Sequence, residues 1–503
     1  MSFRGNISPL IILSTGAAGA GAALAILGVA ESQYYAKWSF SALAYGFGLY
    51  GLVGMVLGFG YGLLFGGKGR SSRRAFLAYA GRVAVLPTVG LWLVGSAFII
   101  YRDLWKESIA RAGFWGWAAL LLIPAGAFIC AALARMIGKV LCNRSSIAAA
   151  IILVLSLAGL LFCGSGQSTP EINEEFYRPL EKPDGRPSIV IIVADALRAD
   201  ALGAYGSKKV ATPNLDAFST EATRFNQAWS TASWTRPAVA SILTGQYPRS
   251  HQAIHKTDRL PESLPTMASL LSLNGYVSVA SVTNVNLAPV FGMGRGFDVY
   301  AYHGPKPFLS APQTARRLFL VELYRLARLR FFPGQRIVSS YYAEGEQVWE
   351  VARELVGPLA TAARPFFAYL HFMETHDPYF AHPYDGTAVA RVENPNPKAD
   401  KAAEYFDLYR QEIEHWDSLF GEMITFLKDK GVFDRALIVV TADHGEEFAD
   451  HGGFWHGTTL FEELVRVPLL IRFPQGAGAG TVRDDPVSLI DLMPTAMSLA
   501  QVK

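Results

Sequence analysis

The chain has 503 residues and a formal net charge of +3, and 51 % of its residues are hydrophobic while 17 % are charged. Its length exceeds that of one ordinary domain, so two or more domains are expected. The small net charge gives no support for a nucleic-acid partner. The cysteines, Cys130, Cys142 and Cys163, all lie in the apolar first part, which excludes a disulfide framework or a cysteine-based zinc site in the remainder.

Most charged residues follow residue 165, and the region before it is apolar. Five apolar segments are close to the ~20 residues that a membrane-spanning helix needs. They are residues 9–30, 40–65, 83–101, 114–137 and 147–163. A cleaved signal peptide is the alternative for the first segment, but its length and four similar successors favour a retained helix. Arg4 and the basic loops at 68–74 and 135–144 favour a cytoplasmic N-terminus, so an odd number of crossings places the rest of the chain outside.

The sequence therefore predicts a five-helix transmembrane domain at 1–164, a juxtamembrane linker at 165–187 and an extracytoplasmic domain at 188–503. The linker is short and rich in Gly, Ser, Pro and Glu, so the last domain would stay near the membrane. We expect a multi-pass protein of a bacterial cytoplasmic membrane. An arginine-rich segment at 313–332 fits either a helix on lipid headgroups or an ordinary solvated insertion.

The last domain alternates apolar runs with helical patterns. Continuous apolar runs, typical of buried strands, occur at 188–194, 277–282, 366–372, 436–442 and 467–472. Helical patterns occur at 264–273, 343–356 and 402–428. This alternation predicts an α/β domain with a mainly parallel central sheet, whose functional site lies at the carboxyl ends of the strands.

A short helix is predicted to begin at Thr235, because Pro237 fits the first turn and Thr235 fits the N-cap. A hydroxyl at the positive end of a helix is placed to attack an anionic ester. Asp195 and the pair Asp443-His444 each close a predicted strand. These three side chains and the threonine hydroxyl make a four-ligand set for a divalent metal, with Zn, Mn, Mg and Ca all left open. The alternative is that each carboxylate only caps a helix or turn.

Histidines follow two of the predicted strands. His376 lies in a turn after the run 366–372, and His456 lies downstream of Asp443-His444. Histidines at this edge of a sheet bind a second metal, hold phosphate oxygens or protonate a leaving group. His371 and His382 lie in the same region and fit structural positions.

Four motifs in order resemble the sulfatase branch of the alkaline phosphatase superfamily. They lie at 192–200, 212–216, 235–248 and 441–446. Five crossings before such a domain also resemble membrane phosphoethanolamine transferases and lipoteichoic-acid synthases, in which a metal-bound threonine is transiently phosphorylated by a phospholipid headgroup. The resemblance implies a catalytic role for Thr235, and metal ligation by Thr235, Asp195, Asp443 and His444. It implies catalytic, substrate-binding or second-metal roles for His376 and His456, and Arg236 is predicted to bind substrate.

Several positions depart from these families. Thr235 stands where sulfatases carry the Cys or Ser that becomes formylglycine, and Val239 stands where they carry Arg. Threonine cannot yield that aldehyde, so sulfate-ester hydrolysis through formylglycine is not expected. Asp195 is followed by Ala196 instead of a second Asp, and the transferases generally have Glu at position 195. Residues 487–495 resemble the helix before the family's C-terminal subdomain, which is therefore expected to be shortened or missing.

The main hypothesis is a metal-dependent membrane phosphotransferase that moves a phospholipid headgroup phosphoryl moiety through phospho-Thr235 to an external acceptor. Its partners would be a membrane lipid as donor or substrate and an envelope glycan or lipid as acceptor. One alternative is a sulfatase-like hydrolase or phosphodiesterase that passes the group to water. Another is a degenerate membrane scaffold, against which the intact nucleophile and ligand set argue. The oligomeric state is left open.

Overall fold

The computed structural model describes residues 9–36, 40–65, 145–163, 185–304, 318–331, 341–362 and 364–502, with the single residues 79, 82, 89, 93, 176 and 338. The chain divides into two compact units. The first comprises Met1–Gln167 with Pro307–Phe331, and the second comprises Ser168–Lys306 with Phe332–Lys503. The inserted segment 307–331 therefore belongs to the first unit although it interrupts the sequence of the second.

Helices make up the described part of the first unit. They are Pro9–Ala36, Phe40–Phe65, Ser145–Cys163 and Phe319–Phe331. The first three pack against one another. Gly28 and Gly46 permit the close approach of the first two, because a Cβ atom on either glycine would clash with the backbone of the other.

Two stretches of the first unit, Pro9–Val29 and Leu43–Leu64, are long and apolar enough to cross a membrane by length and composition, and Ile147–Ala158 is apolar but shorter. The predicted crossings at 83–101 and 114–137 lie outside the described residues, as does nearly all of the linker at 165–187. The five-helix membrane domain and its boundaries therefore stay predictions.

The second unit is built around a nine-stranded sheet. Numbered along the chain, the strands are β1 (Ser188–Ala194), β2 (Thr223–Trp229), β3 (Val277–Val282), β4 (Val299–Tyr302), β5 (Phe366–Phe372), β6 (Tyr379–Phe380), β7 (Ala388–Val389), β8 (Ala436–Thr441), β9 (Glu447–Phe448), β10 (Phe454–Trp455), β11 (Arg466–Arg472), β12 (Val482–Arg483) and β13 (Val487–Ser488). The sheet order is β12-β2-β11-β8-β1-β5-β3-β4, with β13 also paired to β2. β6 pairs with β7 and β9 with β10 in separate two-stranded sheets.

Helices cover the sheet. They are Pro213–Thr220, Thr235–Thr244, Pro248–His251, Met267–Leu273, Gly345–Thr361, Ala402–Asp429, Glu462–Val465 and Leu492–Leu499. β8, β1, β5, β3 and β4 run parallel, whereas β11 runs antiparallel to β8 and β2. Every residue of β1, β5 and β8 is buried, as expected for strands covered on both faces. The predicted mainly parallel α/β domain is confirmed.

Candidate active site

Three adjacent parallel strands bring acidic and imidazole groups to one edge of the sheet. β1 lies between β8 and β5, and its last residues pair with Thr441 on one side and Phe372 on the other. Asp195 follows β1 directly, while Asp443 and His444 follow β8, and all three are fully buried. The structure confirms the prediction that the ends of β1 and β8 lie side by side at one edge of the sheet.

Thr235 meets these groups from the neighbouring helix. It is 1 % exposed, its hydroxyl donates a hydrogen bond of 3.3 Å to Asp195 Oδ2, and its Oγ1 lies 3.5 Å from His444 Nε2. Thr235 was predicted to be the N-cap, and this is wrong: Trp234 occupies that position in an extended conformation, and Thr235 is the first helical residue. The threonine side chain therefore points to the strand ends instead of capping its own helix.

Asn284 completes this arrangement and was missed by the sequence analysis. It lies two residues after β3, is 3 % exposed, and its Nδ2 donates to Asp195 Oδ2 at 2.6 Å and to Thr235 Oγ1 at 3.2 Å. Because β3 is parallel to β5, its carboxyl end reaches the same edge of the sheet. The rule that functional residues lie at the carboxyl ends of parallel strands, applied to β3, could have identified Asn284.

The buried carboxylates fit a divalent cation. Asp195 Oδ1 and Asp443 Oδ2 are buried without a hydrogen-bond partner. His444 Nδ1 donates to the Gly445 carbonyl at 2.8 Å, so its Nε2 is left to face Asp195 Oδ1 at 3.2 Å and Asp443 Oδ2 at 3.6 Å. One ligand atom from each of Asp195, Asp443 and His444 lies within 4.8 Å of the others. Orphaned oxygens facing an imidazole nitrogen are the donor set that a divalent metal requires.

Burial and mutual interaction shift the pKa values of these groups. Burial opposes the charge on Asp195, but the imidazoles of His376, His444 and His371 hold the pKa of that carboxyl well below its usual range. Burial and the charge on Asp195 raise the pKa of Asp443. Although burial opposes it, the two carboxylates raise the pKa of His444 to about 10. Two carboxylates buried side by side repel each other, and either an imidazolium or a bound cation offsets that repulsion.

His376 and His456 lie beside this cluster, in agreement with their predicted position. Their ring centroids are 4.6 Å apart, and the ring of His456 lies 4.5 Å from that of His444. His456 Nδ1 lies 3.0 Å from Glu446 Oε1, and Glu446 also accepts a 2.6 Å hydrogen bond from Tyr379. His376, Asp377 and His456 form a second group of ligand atoms that lie within 4.8 Å of one another.

The two histidines have pKa shifts of opposite sign. Burial opposes protonation of His376, but Asp195, Asp377 and Glu446 together raise its pKa. Burial lowers the pKa of His456, even though Glu446 acts in the other direction. Neighbouring groups with pKa values pushed apart are suited to opposite roles, one as proton donor and one as acceptor.

Arg236 is held by backbone carbonyls of a neighbouring loop, and its predicted role in substrate binding stays a prediction. It is 1 % exposed, and its Nη1 donates to the carbonyls of His255 (2.9 Å), Lys256 and Asp258 (3.2 Å). Its guanidinium also lies 3.6 Å from the ring centroid of Phe291. Arg236 therefore fixes the loop at 255–258 to the helix that begins at Thr235.

His371 and His382, which the sequence fits to structural positions, have different surroundings. His371 on β5 is fully buried, as the strand pattern indicated, and its Nε2 lies 3.6 Å from Asp195 Oδ2. His382 lies away from the cluster and pairs with Glu412 at 2.8 Å.

The mainly parallel α/β sheet, with a buried carboxylate–imidazole cluster at its carboxyl edge, is that of an alkaline-phosphatase-like domain. Residues 187–502 match the model of the Sulfatase family, and the chain therefore belongs to the sulfatase family.

Relatives named as sulfatases share about a quarter of the matched residues. Steryl-sulfatase of Mus musculus is 26 % identical over 404 residues, covering 62 % of this chain and 62 % of the relative. Arylsulfatase A of Homo sapiens is 26 % identical over 353 residues, covering 62 % of this chain and 64 % of the relative. Among solved structures, the phosphonate monoester hydrolase of Agrobacterium radiobacter aligns at a TM-score of 0.47 with 20 % identity, over 63 % of this chain and 74 % of the other.

The match to these two sulfatases spans less than two thirds of their length. The predicted resemblance to the sulfatase branch is confirmed. The finer resemblance to membrane transferases is not among these findings, and the relatives named here support the hydrolase alternative better than the phosphotransferase hypothesis.

Proposed function

We propose that this chain is a metal-dependent hydrolase of phosphate esters whose nucleophile is the hydroxyl of Thr235. The observation that carries the proposal is the position of that hydroxyl, 3.3 Å from Asp195 and 3.5 Å from His444 Nε2, at the start of helix Thr235–Thr244. The helix N-terminus favours an anion at the same place.

Asp195, Asp443, His444 and Thr235 would hold the metal. When bound, such a metal lowers the pKa of a ligating hydroxyl and polarises an ester oxygen. Asn284 orients the reaction by donating to both Asp195 (2.6 Å) and Thr235 (3.2 Å), which fixes the Oγ1 direction. With its hydroxyl proton released to solvent, Thr235 Oγ1 attacks phosphorus and the bond to the leaving oxygen breaks. The phosphoryl group stays on Thr235 until attack by water releases the Thr235 oxygen again.

The two neighbouring histidines divide the proton transfers. His376, whose pKa is raised, donates a proton to the leaving oxygen. His456, whose pKa is lowered by burial, accepts a proton from the water that attacks the phosphothreonine and releases phosphate. Glu446 holds the His456 ring through Nδ1 at 3.0 Å, so Nε2 is the nitrogen that receives the proton.

The identity of the nucleophile favours phosphate over sulfate esters. Oxidation at the Cβ of Cys or Ser gives the formylglycine aldehyde, but the methyl group on the Cβ of threonine prevents it. The cysteines of this chain all precede residue 164, so none lies in the second unit. A threonine adduct is instead released by attack of water on the transferred group, as in the phosphoryl steps above.

The test compares turnover of p-nitrophenyl phosphate, bis-p-nitrophenyl phosphate and p-nitrophenyl sulfate by the metal-loaded full chain. We expect the phosphate esters to be cleaved, Thr235→Ala to abolish cleavage and Thr235→Ser to retain part of it. Thr244→Ala is the matched control, because Thr244 is a buried threonine of the same helix whose hydroxyl donates to the Ala240 carbonyl. Full activity in Thr235→Ala, or cleavage of the sulfate ester alone, contradicts the proposal.

A phosphotransferase that uses a membrane lipid as donor is the second candidate. It is supported by the two apolar stretches Pro9–Val29 and Leu43–Leu64, which would anchor the chain in a membrane. In that case, purified protein given a phospholipid and a glycan or lipid acceptor would yield a phosphorylated acceptor and diacylglycerol, with little free phosphate. Release of the headgroup to water at the same rate with and without an acceptor identifies the hydrolase instead.

The membrane placement is part of this second candidate. With the N-terminus in the cytoplasm and the catalytic domain outside, protease added to intact cells would cleave the region after residue 188 and spare the loop at 68–74. The opposite pattern contradicts the predicted orientation.

A further inference from the structure

A second cluster of metal-ligating side chains lies outside the active site, in the loop that follows Asp443 and His444. Glu447, His451 and Glu463 each offer one ligand atom within 4.8 Å of the others. Glu447 begins β9, His451 lies in the turn between β9 and β10, and Glu463 lies on helix Glu462–Val465. None of the three takes part in the chemistry described above.

Both carboxylates are nearly buried, with Glu447 2 % and Glu463 9 % exposed. Glu447 Oε1 accepts hydrogen bonds from the backbone N–H groups of His451 (3.1 Å) and Gly453 (2.8 Å). Glu463 Oε1 lies 2.7 Å from His451 Nδ1. Among the described residues, neither carboxylate forms an ion pair with a lysine or arginine, and Glu463 pairs with His451.

The surroundings of the cluster keep its shape. The ring of His451 stacks on Phe461, with centroids 3.8 Å apart and an interplanar angle of 8°. A Cβ atom on Gly453 would lie 2.7 Å from Glu447 Oε2, so a larger residue there would displace the carboxylate from its present position. The side chain of His451 is 46 % exposed, which gives an ion a path from solvent.

Two buried carboxylates faced by a single imidazole carry more negative charge than that imidazole can neutralise. Buried charges in proteins are paired or bind metals. One imidazole nitrogen with two carboxylate oxygens suits Zn²⁺, which needs three protein ligands when water takes the fourth position. We propose that Glu447, His451 and Glu463 form a Zn²⁺ site separate from the active site.

This site would tie helix Glu462–Val465 to the β9–β10 hairpin. His456 follows β10 directly, so the ion would fix the hairpin next to a catalytic histidine. The proposal does not depend on the nature of the reaction, since its evidence lies wholly in this cluster.

The test measures Zn²⁺ bound to the metal-depleted full chain, by equilibrium dialysis and elemental analysis. We expect His451→Ala and Glu463→Gln each to bind one equivalent less than the unaltered protein. His382→Ala is the control, because it removes an imidazole paired with another buried glutamate, Glu412, outside the cluster, and it should lose no zinc. Equal binding by folded His451→Ala and the unaltered protein overturns the proposal.

A second measurement uses the unaltered protein and avoids any effect on folding. Diethyl pyrocarbonate modifies accessible imidazoles, and the extent at each histidine is read by mass spectrometry of peptides. We expect Zn²⁺ to protect His451 and to leave His415 reactive, whose side chain is 31 % exposed. Equal modification of His451 with and without Zn²⁺ overturns the proposal. Neither readout uses activity, so failure here is distinguishable from failure of the proposed function.

Discussion

Replacing Asn284 by alanine removes the side chain that joins Thr235, the proposed nucleophile, to Asp195, a proposed metal ligand. The amide donates to the charged Asp195 Oδ2 at 2.6 Å and to Thr235 Oγ1 at 3.2 Å, from a position that is 3 % exposed. A hydrogen bond to a charged group contributes about 1.5–3 kcal/mol, which corresponds to about 10- to 100-fold in rate. We therefore expect Asn284→Ala to lower kcat/KM for p-nitrophenyl phosphate by that factor.

The assay measures kcat/KM at saturating metal, with thermal unfolding as a check that the variant is folded. Asn274→Ala is the matched control, since Asn274 is an exposed asparagine of the same unit whose Nδ2 bonds to the Leu270 carbonyl. If folded Asn284→Ala stays within about threefold of the unaltered protein, a difference well under 1.4 kcal/mol, Asn284 does not position Thr235.

Three further predictions follow from the buried charges. The carboxylate of Glu446 raises the pKa of His456, whereas burial lowers it, so Glu446→Gln should lower that pKa further. The acid limb of the profile of kcat/KM against pH should then move to lower pH, and kcat should fall. Burial raises the pKa of Glu412 well above 4.5 in the folded protein, so this carboxyl ionises at lower pH in the unfolded chain than in the folded one. The free energy of unfolding therefore falls as the pH rises from 4.5 towards the pKa of Glu412 in the folded protein. Glu412→Gln should raise Tm at pH 8 but not at pH 4. Arg236→Ala removes a buried guanidinium that donates to the carbonyls of His255 and Asp258 and should lower the free energy of unfolding by roughly 3 kcal/mol, with an unchanged KM.

Each of these predictions has a contradicting result. An unshifted acid limb in Glu446→Gln would remove His456 from the proton transfers. A Tm difference for Glu412→Gln that is the same at pH 4 and pH 8 would show that the carboxyl is not held neutral in the folded state. A rise in KM for Arg236→Ala without loss of stability would support its predicted role in substrate binding.

The sequence predicted those parts of the fold that depend on continuous apolar runs. β1, β3 and β5 have the predicted bounds, because strands buried on both faces contain little else but apolar residues. β2 was missed, since it carries half-buried polar residues such as Arg224 and Asn226 and gives no such run. A strand that is buried on both faces can therefore be recognised in the sequence, whereas a half-buried strand such as β2 cannot.

The active site was predictable where a strand end carries a charged residue. Asp195, Asp443 and His444 were found in this way, and Thr235 was found from its helix start although its capping role was wrong. Asn284 is neutral and its strand end carries no charge, so it was not singled out. The contacts of Arg236 could not be predicted, because the carbonyls to which it donates lie 19 and 22 residues further along the chain.

The central claim is that Thr235 carries the phosphoryl group during turnover. The most direct measurement is mass spectrometry of the peptide that contains Thr235, after the metal-loaded full chain is mixed with bis-p-nitrophenyl phosphate and quenched with acid. The account predicts a p-nitrophenyl-phosphoryl adduct on Thr235 in the unaltered protein, with one p-nitrophenolate released. More of the adduct is expected in His456→Ala, where attack by water is slowed. An adduct on another residue, or turnover at full rate in Thr235→Ala, would contradict it.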